Sequence, residues 1–403
     1  MNRDKYTAYL LGLISVCASF SQISAGNHGS NSNKANEETH SDKKDNIVTW
    51  QAGDEDNGFV KCKLNRDTGH LTVTATTKSK DTEIKEIFTN DKQKLLRSEV
   101  RSVSFDGNIT SIGVTAKIPD SCLSIENSAF ENCYHLKSVE MPNVKTIGHF
   151  AFCNCKSLQS VKMPNVKTIG KASFCLCANL SSVQMPSVEA IGDSAFADCP
   201  NLSSVQMPKV KTIDKEAFAG CESLNFVKIP NVETILLNTF KACTNLSSVQ
   251  IPNVKTIGNG AFYDCPNLSS IQMPSVETIG KFAFRDCKKL QSVEIPKVET
   301  INDCIFYNCT SLLSAKMPNV KKIGECAFAG CTRLLSVKMP KVERIGNHAF
   351  CDCQSLSYID LSSVKIIESG AFFNCLSLTA IKPPKELEYL GRDVFKGCLN
   401  LLR

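Results

Sequence analysis

Phenylalanine recurs in this chain at a fixed step of 22 residues, at 130, 152, 174, 196, 218, 240, 262, 284, 306, 328, 350 and 372, with a last step of 23 to Phe395. A cysteine follows each ring by three residues, from Cys133 to Cys398, and a leucine follows each cysteine by three, from Leu136 to Leu401. Thirteen units share this frame. A unit this short cannot bury its own apolar face, whereas stacked copies can, so the period alone specifies a repeat solenoid.

Each column has a physical task, seen in the unit FCNCKSLQSVKMPNVKTIGKAS that runs from Phe152 to Ser173. Leu158, Val161 and Met163 have the spacing of a short strand facing inward, with Ser160 and Lys162 on the other side of the pleat. Pro164 ends that strand because it cannot donate to a ladder. Val166 and Ile169 supply a second inward pair. Glycine usually follows this isoleucine, as at 148, 170, 192, 258, 280, 324 and 346, or else Asp214 or Asn302. All three residue types tolerate positive φ, which predicts a left-handed turn residue here and local distortion at the exceptions Leu236 and Glu368. The segment leading into phenylalanine should form a short helical or irregular turn that delivers the ring to the core.

The string A-F-x-x-C-x-x-L-x-x-V-x-M/I-P-x-V-x-x-I-G resembles the leucine-rich repeat of the BspA-like, or Treponema pallidum, type, over about Ile125 to Leu401. The resemblance implies a leucine-rich-repeat right-handed coil of about 13 units with a parallel β-sheet face. It also implies an exported or surface protein that binds host proteins or other cells. A small β-rich N-terminal capping region precedes such repeats; it is expected over 48–118, with GHLTVTAT from Gly69 to Thr76 as one alternating strand, and the solenoid over 119–403.

The N-terminus reads as a signal peptide, 1–25: Arg3 and Lys5, then an apolar run from Tyr6 to Phe20, then Ser24-Ala25 before Gly26. Cys17 in Ile14-Ser15-Val16-Cys17 offers a second route, lipidation, and would be the only membrane anchor. The polar stretch 26–47 is expected to be a disordered linker. The protein is thus expected to be secreted or at the cell surface.

Twenty-one cysteines in an exported chain would ordinarily suggest a disulfide framework. Thirteen fill one column, however, where side chains point the same way, so these are expected to be buried thiols. Outside the column, Cys153 with Cys175 and Cys304 with Cys326 are one repeat apart and are the disulfide candidates. The C-x-C spacing matches no zinc site and no histidine completes one, so neither metal nor cofactor is expected.

Two exposed columns on the sheet face are the candidate binding surface. The first is serine at nine of eleven positions from 138 to 358, interrupted by Phe226 and Tyr358. The second, from Glu140 to Lys382, is more charged toward its C-terminal part. Exposed aromatics anchor binding energy, which singles out Phe226 with Lys228, and Tyr358 with Lys316, Lys338 and Asp360; Leu313 and Leu335 would extend the second cluster. A third column, from Lys145 to Lys365, alternates in sign over much of its length and should serve solubility and register.

The net charge of +6 is interleaved along the chain, so no strip for nucleic acid stands out. One Trp and six His, none spaced to pair with a nucleophile or a carboxylate, give catalysis no foothold. The expected function is adhesion or protein recognition, with extracellular-matrix or cell-surface proteins as partners. The alternatives are a self-associating structural spacer, joined through an uncapped C-terminal unit, and a carbohydrate binder.

Overall fold

The computed structural model describes residues 118–401 except 119 and 135, together with strand segments and a turn between 40 and 117. The signal peptide with Cys17, and most of the linker, lie outside the described residues. The linker nonetheless ends in a strand, β1 (His40–Asp42), paired antiparallel with β2 (Ile47–Asp54). Ladder bonds come from the backbone, which a composition argument does not register. After β2 come β3 (Gly58–Asn65) and β4 (His70–Ala75), both antiparallel, and then the pairing turns parallel. Beyond β5 (Glu83–Ile84), β6 (Ser102–Asp106) pairs with β4 on one side and, past β7 (Ser111–Ile112) and β8 (Thr115–Lys117), with β9 (Ser124–Ile125) on the other. The N-terminal strands therefore continue a solenoid sheet rather than forming a separate layer. Cys62, Leu64, Leu71 and Val73 are buried in the same core as the repeats.

Every later coil contains a three-residue strand, a two-residue strand and a turn, and no helix occurs among the described residues. Ser138–Glu140 pairs in parallel with β8 and with Ser160–Lys162, and Thr146–Ile147 pairs with β9 and with Thr168–Ile169. Alternation along each strand buries Val139 and Val161 while Ser160 and Lys162 face solvent. Ile147 and Ile169 fill the core from the second sheet.

The left-handed residues are not where the glycines predict. Each turn carries two of them, two residues before and two after the repeat phenylalanine, as at Phe150 (φ 57°) and Asn154 (φ 62°). This geometry aims alternate N–H groups along the stack: Ser128, Phe130 and Asn132 donate to the carbonyls of His149, Ala151 and Cys153 in the next coil. The glycine column answers to crowding instead. A Cβ on Gly170 would lie 2.8 Å from the carbonyl carbon of Gly148 and 2.9 Å from the nitrogen of His149.

The core is a set of like-on-like ladders. The thirteen rings stack with centroids 4.8 Å apart at the first pair and no more than 5.6 Å apart elsewhere. Twelve cysteine thiols, Cys155 to Cys398, donate to the carbonyl of the phenylalanine one coil back, as Cys177 does to Phe152 at 3.1 Å. Burial pushes the Cys265 and Cys331 thiols up to about 12, so they remain protonated donors. Where Ser173 and Thr239 enter the small-residue column they are buried but satisfied, Ser173 by the carbonyls of Gly148 and Gly170.

The ladders are interrupted at fixed places. Both sheets lose their pairing between the coils of Ser204–Gln206 and Phe226–Lys228, and again between those of Ser270–Gln272 and Ser292–Glu294. Bonds flanking these junctions stretch: Asn225 N–H to Ser203 O is 3.5 Å and Gln291 to Ser269 is 3.4 Å, against 3.0 Å for Ser247 to Asn225. The coils beyond the two junctions carry Leu236 and Asn302 in the glycine column, where a side chain meets the backbone below. Leu236 is thus distorted as expected, while Glu368 is not, since its N–H still reaches Ile345 O at 2.9 Å; Asp214 is likewise tolerated. The turn side stays bonded across both junctions, for example Phe218 N–H to Thr239 O and Phe284 N–H to Ile305 O, each 2.9 Å. A third interruption, in one sheet only, precedes Tyr358–Asp360.

Two stability predictions follow from these ladders. Gly170→Ala should cost roughly 2 kcal/mol in denaturant unfolding, because backbone and not a movable side chain is in the way; a neutral result would remove the crowding account. Cys265→Ala should cost about 1–2 kcal/mol, and Cys265→Ser should recover part of it by restoring the donor to Phe240 O. Equal losses for both variants would mean that the thiol only fills space.

Candidate functional site: the exposed columns of the sheet face

Parallel register carries each outward residue onto its counterpart, Ser160 on Ser138 and Ser182, Lys162 on Glu140 and Gln184. The result is two lines of side chains, with Ser/Gln coils at 182–206 and again at 248–272, separated by the coil of Phe226 and Lys228. Phe226 and Tyr358, 39% and 49% exposed, are the aromatics of this face. Each stands on the first strand after an interruption of the sheet. Each therefore combines an exposed ring with a strand edge that has no ladder partner on that side. The pattern of residue types gave no sign of this coincidence.

The structure separates the two clusters. Phe226 and Tyr358 lie six coils apart, about 29 Å at a strand spacing of about 4.8 Å. Around Phe226, Lys228 extends outward on the same strand. In the second cluster Leu335 follows Leu313 in the stack, its N–H bonding Leu313 O at 2.9 Å, and Leu335 is 54% exposed. Lys316 is paired with Glu294 at 2.6 Å and Asp360 with Lys382 at 3.0 Å. Hydrogen bonds from Ser362 and the Lys382 ammonium hold the Asp360 carboxyl below its usual range. Among the described residues no ion pair engages Lys228 or Lys338, which leaves these as the cations available to a partner.

The alternating column pairs as its signs predict. Glu189 bridges Lys167 and Lys211 at 2.9 Å each, and those two ammonium groups hold its carboxyl at about 2. Lys255–Glu233 and Lys321–Glu299 repeat the arrangement. Such exposed pairs contribute little energy individually, but a slip by one coil would set like charges together. Beside this column Asn143, Asn165, Asn231, Asn253 and Asn319 each donate to a carbonyl one coil back, as Asn165 does to Pro142 O at 2.6 Å.

The residue reading did not anticipate a stripe on the turn side. Lys241, Tyr263, Arg285 and Tyr307 follow one another directly after the repeat phenylalanine. The guanidinium lies 4.6 Å from the Tyr307 ring centroid and 5.7 Å from that of Tyr263, and Lys241 is 5.7 Å from Tyr263. Arg285 reaches Tyr307 across the second interrupted junction, and the Lys281–Asp303 pair, 2.9 Å, crosses beside it. The alternation of cation and aromatic in one column was the available signal.

Among the described residues no group of three or more His, Cys, Asp or Glu could hold a metal ion. His149 is used structurally, its Nδ1 accepting from the Lys171 N–H at 2.9 Å. Two open grooves along the second sheet are lined by Glu233, Lys255 and Glu277, and by Arg344, Glu368 and Tyr389.

Known proteins share this architecture. A leucine-rich repeat protein from Bacteroides ovatus is 28% identical over 85% of this chain and 91% of its own length, with a TM-score of 0.62. A leucine rich cell surface protein from Faecalibacterium prausnitzii is 24% identical over 87% of this chain and 93% of its own, with a TM-score of 0.46. The leucine rich repeat protein of T. pallidum is 22% identical over 59% of this chain and 90% of its own, with a TM-score of 0.37. None of the curated proteins matches the chain. The BspA type leucine rich repeat region matches in six copies, over residues 99–225, 211–332 and 299–403, and the chain belongs to that family.

Proposed function

We propose that this chain is an exported, surface-displayed adhesion module that binds extracellular-matrix or cell-surface proteins through the sheet face, and that it is not an enzyme. The observation that carries the reading is the placement of Phe226 and Tyr358 at interruptions of an otherwise polar, laddered surface. An exposed ring beside unpaired backbone N–H and C=O groups offers a partner both apolar burial and main-chain hydrogen bonds. Lys228 and Lys338 add cations near each ring. The serines of the first column leave the floor between the clusters sterically open, and the two coils directly after Phe226 present only Ser and Gln there, so that part admits a protein surface without a desolvation cost from buried ions. Export is supported by the leader-like residues before Gly26.

A self-associating spacer is the second reading, favoured by the strand edges left unpaired at the sheet interruptions. Sedimentation separates the two: a monomer at all concentrations argues against the spacer, and concentration-dependent oligomers argue for it.

Residues 26–403 should bind at least one member of a panel of matrix and cell-surface proteins saturably. Phe226→Ser and Tyr358→Ser should together weaken that binding by at least about tenfold, in line with the loss of buried aromatic anchors. Because the rings are far apart, the single variants should be close to additive if both are used. Binding untouched by the double variant would move the contact off the sheet face. A well-folded chain that binds nothing on the panel would leave the spacer.

A further inference from the structure

Five cysteines after residue 150 stand outside the column that bonds the phenylalanine carbonyls: 153, 175, 304, 326 and 351. Cys153 and Cys175 each follow the repeat ring in consecutive coils, with their Sγ atoms 2.7 Å apart. Backbone holds them there, the Asn154 N–H donating to Cys175 O at 2.7 Å. Cys304 and Cys326 each occupy the left-handed position before the ring, φ 52° and 50°, again in consecutive coils. The Cys304 N–H bonds the carbonyl of Glu325 at 2.8 Å, so this pair holds the same one-coil register. Cys351 is the counterexample: its column neighbours are Ala329 and Phe373, and its thiol donates to Asp352. The column thiols also have stacked neighbours, but they are buried and already committed to carbonyls.

We propose that Cys304–Cys326 and Cys153–Cys175 are inter-coil disulfides formed when the exported chain meets a low-molecular-weight disulfide of the glutathione type. One thiolate attacks the reagent disulfide and expels one reagent thiolate, leaving a mixed disulfide. The neighbouring thiol, as it loses its proton, attacks the protein sulfur of that mixed disulfide and expels the second. Two electrons and two protons pass from the cysteine pair to the reagent, which leaves as two thiols. The Cys304–Cys326 pair reacts first, because both of its thiols are partly exposed. Cys153 is buried, and its hydrogen bond to Cys175 together with burial pushes it well up, so that pair closes more slowly through the partly exposed Cys175. The first bridge ties together the two coils that follow the second interrupted junction.

The test is a thiol count with peptide mapping on the reduced, folded chain from residue 26, before and after exposure to glutathione disulfide. Of the 20 thiols from Cys62 to Cys398, four should be lost, in two pairs, with cross-linked peptides joining 304 to 326 first and 153 to 175 later. Cys304→Ser with Cys326→Ser should abolish the fast pair and leave the slow one. A folded chain with all thiols still free after oxidation overturns the proposal. So do cross-links confined to the column, such as Cys133 with Cys155. Survival of the fast phase in the double variant reverses the assigned order.

Discussion

Parallel backbone ladders in exact register place every side chain directly over its counterpart one coil away, and each column must therefore tolerate itself as a neighbour. Flat rings do so by stacking, which is why phenylalanine fills the deepest column without exception. Small thiols do so by reaching back to a carbonyl that the turn leaves free for a second bond. Glycine does so by having no Cβ where two backbones nearly touch. Stacking like charges is unfavourable, so the exposed columns mostly avoid charge, as in the Ser/Gln coils, or alternate it, as at Glu189 between two lysines, with Lys316 over Lys338 an exception.

The same rule explains where the order fails. At Leu236 and Asn302 a side chain enters the column reserved for glycine, and at those coils neither sheet is laddered to the coil before. Asn302 partly compensates by donating its side-chain amide to Ile279 O at 2.7 Å. On the turn side the Phe and Cys ladders run through both junctions, and Arg285 and Lys281 fasten the second from outside. The binding surface proposed for Phe226 exists because of one of these local failures rather than in spite of it.

Much of this was legible in one sequence because a repeat supplies its own alignment. Thirteen copies identify the core columns, the inward and outward faces of each strand and the pairing of the charged column. The glycine column was misread because the same residue answers two physical needs, positive φ and close approach, and residue type cannot tell them apart. The true left-handed positions hold Phe150, Leu176, Glu216 and Cys304, types that do not announce such a conformation. Sheet interruptions were invisible for a different reason: they arise from a single coil departing from the consensus, and Asp214 and Glu368 depart without the same effect. The cation–aromatic stripe spans only four of the thirteen units, Lys241 to Tyr307, so it leaves no mark on the repeat consensus.

Interruptions in both sheets divide the repeats into blocks that keep their own rings, thiols and strands but share fewer bonds with the next block. A pull directed along the stack loads the ladder hydrogen bonds in tension, and the load falls first on the junctions where the two sheets share the fewest bonds. Such a chain yields at chosen planes, each opening lengthening it while the cores on either side stay dry. For a protein held between two surfaces, the departures at Leu236 and Asn302 then act as mechanical fuses, setting where extension begins and sparing the blocks that carry the exposed rings.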